Sequence, residues 1–302
     1  QDGIRDLDSS LVGSEMCIRD RLEIVMNVTI AVFIAGVLFT SGLEVTFEQV
    51  LTPLKDRPVV ARALLANIVI VPLFVYGMSI VYPLERPYMI GVLLYGFASG
   101  APYTPKLVSA AAGNVPSSIA STMVLTVLTI VYMPIVLPFI VPGADIGVWE
   151  IAKPLLLQMF VPLVIGLGIR HVRPAAADTL LRPSHFVVNV SLLAFLVLAV
   201  TLHHDALAAM IGTGAILSAV VLTVVAFVVG YIIGPVGAQG KGKATLGLIT
   251  TARNIGAAAT IATANFKDDP RILITVAVCM FVVFALAFPA AKLFFNKRLS
   301  LE

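Results

Sequence analysis

The sequence predicts an all-α protein that crosses a lipid bilayer many times. Three observations predict this fold class: 59% of the 302 residues are hydrophobic, only 12% are charged, and the mean hydropathy is +1.00. A soluble domain is about 25% charged, and over half of its surface area must still face solvent. Side chains this apolar therefore need lipid as their solvent. The net charge is only +3 and no basic patch is interleaved with aromatic residues, so nucleic acid is not an expected partner.

Nine segments are long and apolar enough to span the hydrocarbon core, which requires about 20 residues of helix. They are residues 24–43, 58–82, 87–112, 115–141, 149–170, 183–202, 211–236, 243–266 and 270–295. The links between them are short and polar, so residues 22–302 are expected to form a single transmembrane domain. The pattern does not indicate an oligomeric state.

Residues 1–21 differ from the rest of the chain. The stretch QDGIRDLDSSLVGSEMCIRDR is polar, of mixed charge and without helical periodicity. It lacks the basic, apolar and cleavage regions of a signal peptide. We interpret it as an artefactual or disordered leader and exclude it from the predicted fold.

The orientation follows from the lysines and arginines in the links. One side of the membrane carries eleven of them and the other carries four. The richer side is expected to be cytoplasmic, which places the C-terminus of a multi-pass protein of the plasma or inner membrane in the cytoplasm. With nine spans the chain would start outside, whereas one further leading helix would place both termini inside.

Two of the nine spans are interrupted. Residues 87–112 contain Gly100, Pro102 and Pro105 close together, and residues 243–266 have the polar run TTARN at their centre. Non-helical backbone at membrane depth persists only when it is buried in protein or lines a cavity, and a pair of such spans indicates a transporter's midplane site. They divide the chain into two predicted repeats, about 24–141 and 149–295, which a further leading helix would make five plus five.

Lys106 and Arg253 fall in these interrupted regions. A charge near the bilayer centre costs at least about 2.5–3.5 kcal/mol, and no Asp or Glu lies in the middle of any span. One interpretation is that an anionic substrate pairs with one or both cations. The other is that they are fixed cations, held by backbone carbonyls at the negative ends of half-helices. For Lys106 there is a third alternative, that its amine reaches an interface.

Neighbouring residues complete the predicted substrate site. Asn254 either caps a helix end or binds substrate, and Tyr103 either lines the cavity or packs at the break. The predicted substrate-binding residues are Thr104, Pro105, Lys106, Arg253, Asn254 and Gly256. His203, His204 and Asp205 have a metal-like composition, but adjacent histidines diverge on a helix, so an ordinary turn is favoured over a metal site.

Several of these stretches resemble the bile acid:sodium symporter family. TSGLEVTFEQV is similar to its glycine-containing exit from an early helix, ASGAPYT with AAAGNVPSS to its first broken segment, and TTARNIGAAA to its Glu-x-Gly-x-Gln-Asn-x-Gly segment. The resemblance spans residues 24–295. It implies ten helices in two inverted five-helix repeats, a panel domain and a core domain with two broken crossing helices, and transport of organic anions with sodium by alternating access.

The sequence departs from this family where the family binds sodium. Pro105 stands in place of an Asn, Ile249 in place of a Glu and Arg253 in place of a Gln. An arginine stays protonated and would repel a nearby sodium ion by several kcal/mol at an effective dielectric constant of about 20. We interpret the hydroxyl and amide groups of Asn67, Thr104, Ser118, Thr122 and Thr250 as ion-site remnants. The alternatives are that Thr104, Ser118 and Thr122 bond backbone carbonyls one turn back and that Asn67 joins neighbouring helices.

The sequence therefore predicts a secondary transporter of a small organic anion. Its transport can be independent of sodium. A sodium symporter with remodelled ion sites is the alternative within the same class, and a channel or a membrane-embedded enzyme is the alternative outside it. The spans contain no His-Glu-x-x-His and no Gly-x-Ser-x-Gly, and the chain has no Gly-x4-Gly-Lys-Ser/Thr loop for ATP. No enzymatic activity, organic cofactor or ATP dependence is expected, and the partners are an anionic solute and the bilayer.

Overall fold

The computed structural model describes residues 2–51, 56–141, 146–235 and 241–292, and all regular structure in these ranges is helical. The helices are α1 (Asp2–Glu44), α2 (Phe47–Leu51), α3 (Arg57–Leu64), α4 (Val71–Val81), α5 (Arg86–Phe97), α6 (Thr104–Ala110), α7 (Val115–Ile140), α8 (Val148–Leu155), α9 (Val161–Val172), α10 (Pro174–Met210), α11 (Ala215–Ile233), α12 (Lys241–Thr251), α13 (Ile255–Asn265) and α14 (Pro270–Ala290). A π-helical turn joins α3 to α4 at Leu65–Ile70, and another joins α8 to α9 at Leu156–Phe160. The predicted fold class, an all-α polytopic membrane protein, is confirmed.

Seven continuous helices in the described ranges are long and apolar enough to cross a membrane. Two of them, Arg57–Val81 and Val148–Val172, run through the π-helical turns. The two spans predicted to be interrupted are divided into α5 with α6 and α12 with α13, and each piece is too short to be counted alone. The count of nine spans, the two repeats and the boundaries of the single domain stay predictions.

Two predicted boundaries differ from the structure. The backbone of α1 is helical from Asp2, through most of the segment interpreted as a leader, although its apolar span begins only at Arg21. That residues 1–21 are foreign to the fold stays a prediction. The predicted span 183–202 lies inside the longer α10, which begins at Pro174 because a proline in the first turn needs no hydrogen-bond partner for its nitrogen.

The helices form two groups. In the first, α1 packs against α9 and α10. A Cβ at Gly42 would lie 2.7 Å from the Leu167 nitrogen, so only glycine allows α1 and α9 to pack this closely. In the second, α4, α7, α11 and α14 pack around the two broken helices, which are α5 with α6 and α12 with α13. The groups meet where α8 contacts α7 and α13 and where α10 contacts α14.

The outer surface is apolar, as lipid contact requires. On α10 the exposed apolar side chains recur at helical spacing, at Phe186, Val190, Leu193, Val197 and Val200. An exposed apolar stripe of this length is not stable in water. The stripe therefore faces hydrocarbon, in agreement with the composition.

Candidate functional site

The first chain break lies between α5 and α6, at residues 98–103. Gly100 adopts a φ of +78°, a left-handed conformation that glycine tolerates and other residues rarely adopt. A Cβ at this position would lie 2.8 Å from Thr126 Oγ1 on α7. Pro102 and Pro105 remove two backbone donors. Local sequence therefore accounts for the end of α5 and the restart at α6.

The second break lies between α12 and α13, at residues 252–254. Asn254 has an extended backbone, with φ −80° and ψ 90°, and its Oδ1 accepts a hydrogen bond of 3.2 Å from the Ala257 amide. This is N-cap geometry, in which a side-chain oxygen satisfies a backbone donor that the helix leaves unpaired. Asn254 is completely buried. The cap explains why α13 begins here at membrane depth.

The two breaks contact each other. The Asn254 amide donates to the Ala98 carbonyl over 2.9 Å, and Asn254 Nδ2 donates to the Gly100 carbonyl over 3.1 Å. The Tyr103 hydroxyl donates to the Arg253 carbonyl over 3.4 Å. Each break therefore satisfies backbone groups of the other, as polar backbone in a membrane interior requires. We call residues 98–103 and 252–254 together the crossing.

Helix α7 supports the crossing from one side. Thr126 Oγ1 donates to the Gly100 carbonyl over 2.7 Å. The hydroxyls of Thr129 and Ser99 lie 2.8 Å apart, and the Ser99 amide donates to Thr129 Oγ1 over 3.2 Å. The sequence analysis missed all three residues. In the sequence, Thr126 and Thr129 are marked only by the three-residue spacing of their hydroxyls on α7. This spacing also fits ordinary bonding of a hydroxyl to its own helix.

Arg253 is the largest completely buried side chain of the described residues, with 1% of its surface exposed. Its Nη1 faces the Asn67 carbonyl over a long 3.5 Å. Nε and Nη2 have no hydrogen-bond partner among the residues that the structure describes. The hydroxyls of Tyr95, Tyr103 and Tyr132 lie within electrostatic reach of the guanidinium. The side chain therefore points into the second helix group, toward the π-helical turn that carries Asn67.

Among the predicted ion-site remnants, Asn67 contacts this arginine through its backbone carbonyl. Asn67 Nδ2 donates to Thr250 Oγ1 over 3.2 Å, which ties the π-helical turn to α12. Thr104 and Ser118 donate to the carbonyls of Ala101 and Val115 on their own segments. Within the described part of the chain, Asn67 Oδ1 and Thr122 Oγ1 are buried and without a partner. Two hard oxygen acceptors thus have no partner in the described structure, and one of them belongs to Asn67, whose carbonyl faces Arg253.

The predicted substrate-binding residues separate in space. Thr104 and Asn254 are buried at the crossing, whereas Lys106 is exposed on α6 and Pro105 is partly exposed. Gly256 faces the first helix group, since a Cβ there would lie 3.5 Å from Ile34 Cγ2 of α1. The structure therefore brings Arg253, Asn254 and Thr104 together and leaves Lys106 at the periphery.

A cavity of about 590 Å³ lies where the two helix groups meet, at the end of the bundle that contains the start of α14. Two irregularities of helix geometry place polar side chains in it. Gln158 comes from the second π-helical turn, and His203, which is 7% exposed, sits at a break in α10 with φ −127° and ψ 28°. The lining also includes Glu23, Asn27, Thr263, Lys267 and Asp268. The polar run at 203–205 is therefore a kink beside a cavity. The described residues hold no cluster of His, Cys, Asp and Glu suited to a metal ion.

A second cavity, of about 560 Å³, opens toward the opposite end of the bundle. It lies within the second helix group, between the starts of α3, α7 and α12. Its polar lining comes from Asp56, Asn114, Ser117, Ser121, Lys241 and Thr245. Its lining also includes Ile249 of α12. The crossing is therefore approached by one cavity from each end of the bundle.

The model of the Sodium Bile acid symporter family matches residues 30–211 of the chain. The match covers more than half of the 302 residues. It includes the first break and the residues from Asn67 to Thr129 that surround Arg253. No curated protein matches the chain.

Proposed function

The chain belongs to the sodium bile acid symporter family of membrane transporters, and we propose that it is a secondary active transporter that carries a small organic anion by alternating access without sodium. The crossing is the proposed substrate region. The observation that carries the proposal is the completely buried guanidinium of Arg253, whose Nη1 faces the Asn67 carbonyl over 3.5 Å.

Arg253 supports a mechanism without sodium. Its guanidinium carries a permanent positive charge next to Asn67. Two unit charges about 4–5 Å apart repel by roughly 3–4 kcal/mol at an effective dielectric constant of about 20. A sodium ion bound in the same place would lose that much free energy. The arginine thus supplies the charge that sodium supplies elsewhere in the family.

The same charge favours an anionic substrate. No Asp or Glu among the described residues pairs with Arg253, and Nε and Nη2 remain without a partner. A buried charge without a counter-charge is strongly unfavourable. An anion bound near the crossing offsets part of this cost by Coulomb attraction. A cation near the crossing would add to it.

The arrangement of helices supports alternating access. The first group, α1 with α8, α9 and α10, meets the second group mainly along α7, α13 and α14. The 590 Å³ cavity lies in this boundary and ends beside α13, the helix that starts at the crossing. A relative shift of the two groups would open the crossing to one end or the other.

A sodium-coupled mechanism with remodelled ion sites is the second candidate. It is favoured by Asn67 Oδ1 and Thr122 Oγ1, two buried oxygens without a partner in the described ranges. Oxygen atoms of this kind bind hard cations. The two candidates differ in one measurable property, the dependence of transport on a sodium gradient.

The test is uptake into proteoliposomes that contain the 302-residue chain. A panel of radiolabelled organic anions is supplied with a sodium gradient, with a potassium gradient and with no gradient. For the wild type we expect saturable uptake of at least one anion at equal rates in all three conditions. Arg253→Gln should lower uptake at least about tenfold, whereas the control Arg62→Gln, an exposed cation near the end of α3, should not. Uptake that requires sodium would establish the second candidate instead.

We also propose that the protein lies in the plasma or inner membrane with its C-terminus in the cytoplasm. The support is the distribution of eleven lysines and arginines on one side and four on the other. The test is to fuse to the C-terminus a reporter enzyme that works only in the cytoplasm. We expect this fusion to show reporter activity. Activity of a reporter that works only outside the cytoplasm would reverse the proposed orientation.

A further inference from the structure

The crossing contains a positive charge whose hydrogen-bonding capacity is largely unused. Arg253 presents five N–H donors, and among the described residues only Nη1 has an acceptor, the Asn67 carbonyl at 3.5 Å. That distance is at the limit of a hydrogen bond. Buried polar groups in proteins are almost always paired. The geometry around this guanidinium therefore indicates a missing acceptor.

Two phenol hydroxyls near the guanidinium are in the same situation. The oxygens of Tyr95 and Tyr132 are buried, and no well-directed hydrogen bond from the described residues reaches either of them. The Tyr95 hydroxyl lies close enough to Tyr103 to interact with its oxygen, although not in a well-directed hydrogen bond, and Tyr103 itself donates to the Arg253 carbonyl. The three tyrosines come from α5, from the start of α6 and from α7. Phenol groups from separate elements thus lie within electrostatic reach of one arginine.

The groups around Arg253 have more hydrogen-bond donors than acceptors and an uncompensated positive charge. Nε and Nη2 of Arg253 with the two phenol groups provide four donor sites without a partner in the described structure. Among the predicted ion-site remnants the unpaired acceptors are Asn67 Oδ1 and Thr122 Oγ1, and these oxygens, like the phenol oxygens, are neutral. A shift of these two side chains would satisfy hydrogen bonds but would leave the charge uncompensated. Only an anion supplies both the acceptor and the counter-charge.

We infer that Arg253, Tyr95 and Tyr132 form a buried subsite for one monovalent anion. The inference rests on the proposed function, from which it takes the negative charge of the ligand. It adds the side chains that bind this ligand. One guanidinium neutralises one negative charge, so a divalent anion would leave an excess charge in a dry environment. The anion is a halide ion or the carboxylate of the transported solute, which offer the same chemistry to these donors.

The inference also assigns a role to the two tyrosines. Each hydroxyl donates to the anion, while the aromatic ring packs against neighbouring helices, as Tyr132 does on Phe97 with a ring-centroid distance of 6.1 Å. Removal of a hydroxyl leaves this packing in place. Tyr95→Phe and Tyr132→Phe should therefore weaken anion binding without unfolding the protein. Removal of the guanidinium could unfold it, which makes the tyrosine variants the better test.

The first experiment is equilibrium dialysis of the purified chain in detergent against radioactive chloride, with sulfate, a divalent anion that the subsite should not take, to keep the ionic strength and the sodium concentration constant. Wild type should bind one chloride ion per chain. Each Tyr→Phe variant should raise the dissociation constant by about tenfold, since a hydrogen bond to a charged group is among the stronger ones. Tyr76→Phe on α4, whose side chain is 37% exposed on the outer surface, should bind chloride as the wild type does.

The second experiment separates the two sources of the anion. Acetate, or an anion found in the uptake panel, is added at increasing concentration to the chloride-loaded protein. Displacement that the Tyr→Phe variants weaken shows that the carboxylate of the solute uses the same donors. Chloride that stays bound shows a permanent halide site.

Absence of both chloride binding and tyrosine-dependent carboxylate binding would overturn the inference, and water would then satisfy the cluster. That result would leave the proposed function intact, because sodium-independent uptake is measured separately. Conversely, chloride binding by a chain whose uptake requires sodium would keep the subsite and reject the proposed coupling.

Discussion

The amide of Asn254 donates a hydrogen bond of 2.9 Å to the carbonyl of Ala98, and this contact joins the two breaks of the chain. Each partner comes from a helix end that would otherwise leave a backbone group unpaired in the membrane. The same asparagine caps α13 through its side-chain oxygen. One residue thus satisfies both halves of the crossing, and several consequences can be measured.

Substitution of Asn254 should separate its two side-chain roles. Asn254→Ala removes the cap on Ala257 and the hydrogen bond to the Gly100 carbonyl, and we expect a loss of about 2–4 kcal/mol in folding free energy. Asn254→Asp keeps the acceptor of the cap and loses the donor. Thermal inactivation in detergent should rank the wild type first and both variants below it. Equal midpoints for all three proteins would show that the crossing is not held by this side chain.

Gly100→Ala should strongly destabilise the protein. The φ of +78° is costly for any residue with a Cβ, and the added atom would lie 2.8 Å from Thr126 Oγ1. Gly77→Ala is the matched control, since a Cβ there has no atom within 4 Å among those described. In the middle of α4 that change should be neutral or slightly stabilising. The yield of monodisperse protein and its thermal midpoint test the pair, and a tolerated Gly100→Ala would contradict the assigned backbone.

Gly166→Ala should loosen the first helix group. A Cβ on Gly166 would lie 3.1 Å from both the Gly42 Cα and the Leu43 nitrogen of α1, which are backbone atoms that cannot rotate away. Gly168→Ala on the same helix has open space around its Cβ within the described structure and serves as the control. We expect a thermal midpoint lowered by several degrees for Gly166→Ala only. Equal midpoints would mean that α1 and α9 are not in close backbone contact.

The start of α14 should lose stability at acidic pH. Arg271 donates to both carboxylate oxygens of Asp269, at 2.9 Å from Nε and 2.7 Å from Nη2, and this hydrogen bonding holds the pKa of Asp269 below its ordinary value. A carboxylate with a lowered pKa in the folded state stabilises the protein above the ordinary pKa of about 3.9, and this contribution is lost as the pH falls through the folded-state pKa. Thermal midpoints measured from about pH 6 down to about pH 3 should therefore fall more steeply for the wild type than for Asp269→Asn. The control Asp268→Asn, whose carboxylate has no guanidinium contact in the described ranges, should keep the steep dependence.

The interrupted spans illustrate how far local sequence reaches. Gly100, Pro102 and the run around Arg253 were sufficient to predict both breaks, because proline, positive φ and polar backbone act within a few residues. The family was also predicted from short stretches, and the family match confirmed it. The partners of the breaks were not predictable in this way. Thr126, Thr129 and Tyr132 are hydroxyl residues on a long apolar helix, and their spacing fits many arrangements.

Lys106 and Arg253 show the same limit for charge. The sequence treated them alike, since both are cations in interrupted spans without a carboxylate nearby. The structure buries Arg253 at 1% exposure and leaves Lys106 exposed on α6. The face of α6 that turns outward depends on the neighbouring α7 and on α12 and α14, which are distant in the chain. Helical periodicity gives the faces of a helix but does not say which neighbour covers each one.

The sequence by itself therefore determined that this protein lies in a lipid bilayer, that it is all-helical, where its two chain breaks fall and to which family it belongs. These properties follow from composition and from constraints on neighbouring residues. Only the tertiary structure decided that the breaks meet, that Asn254 satisfies both, and that Arg253 turns toward Asn67 and three tyrosines. Those features depend on contacts between residues far apart in the chain, which are fixed by the packing of whole helices.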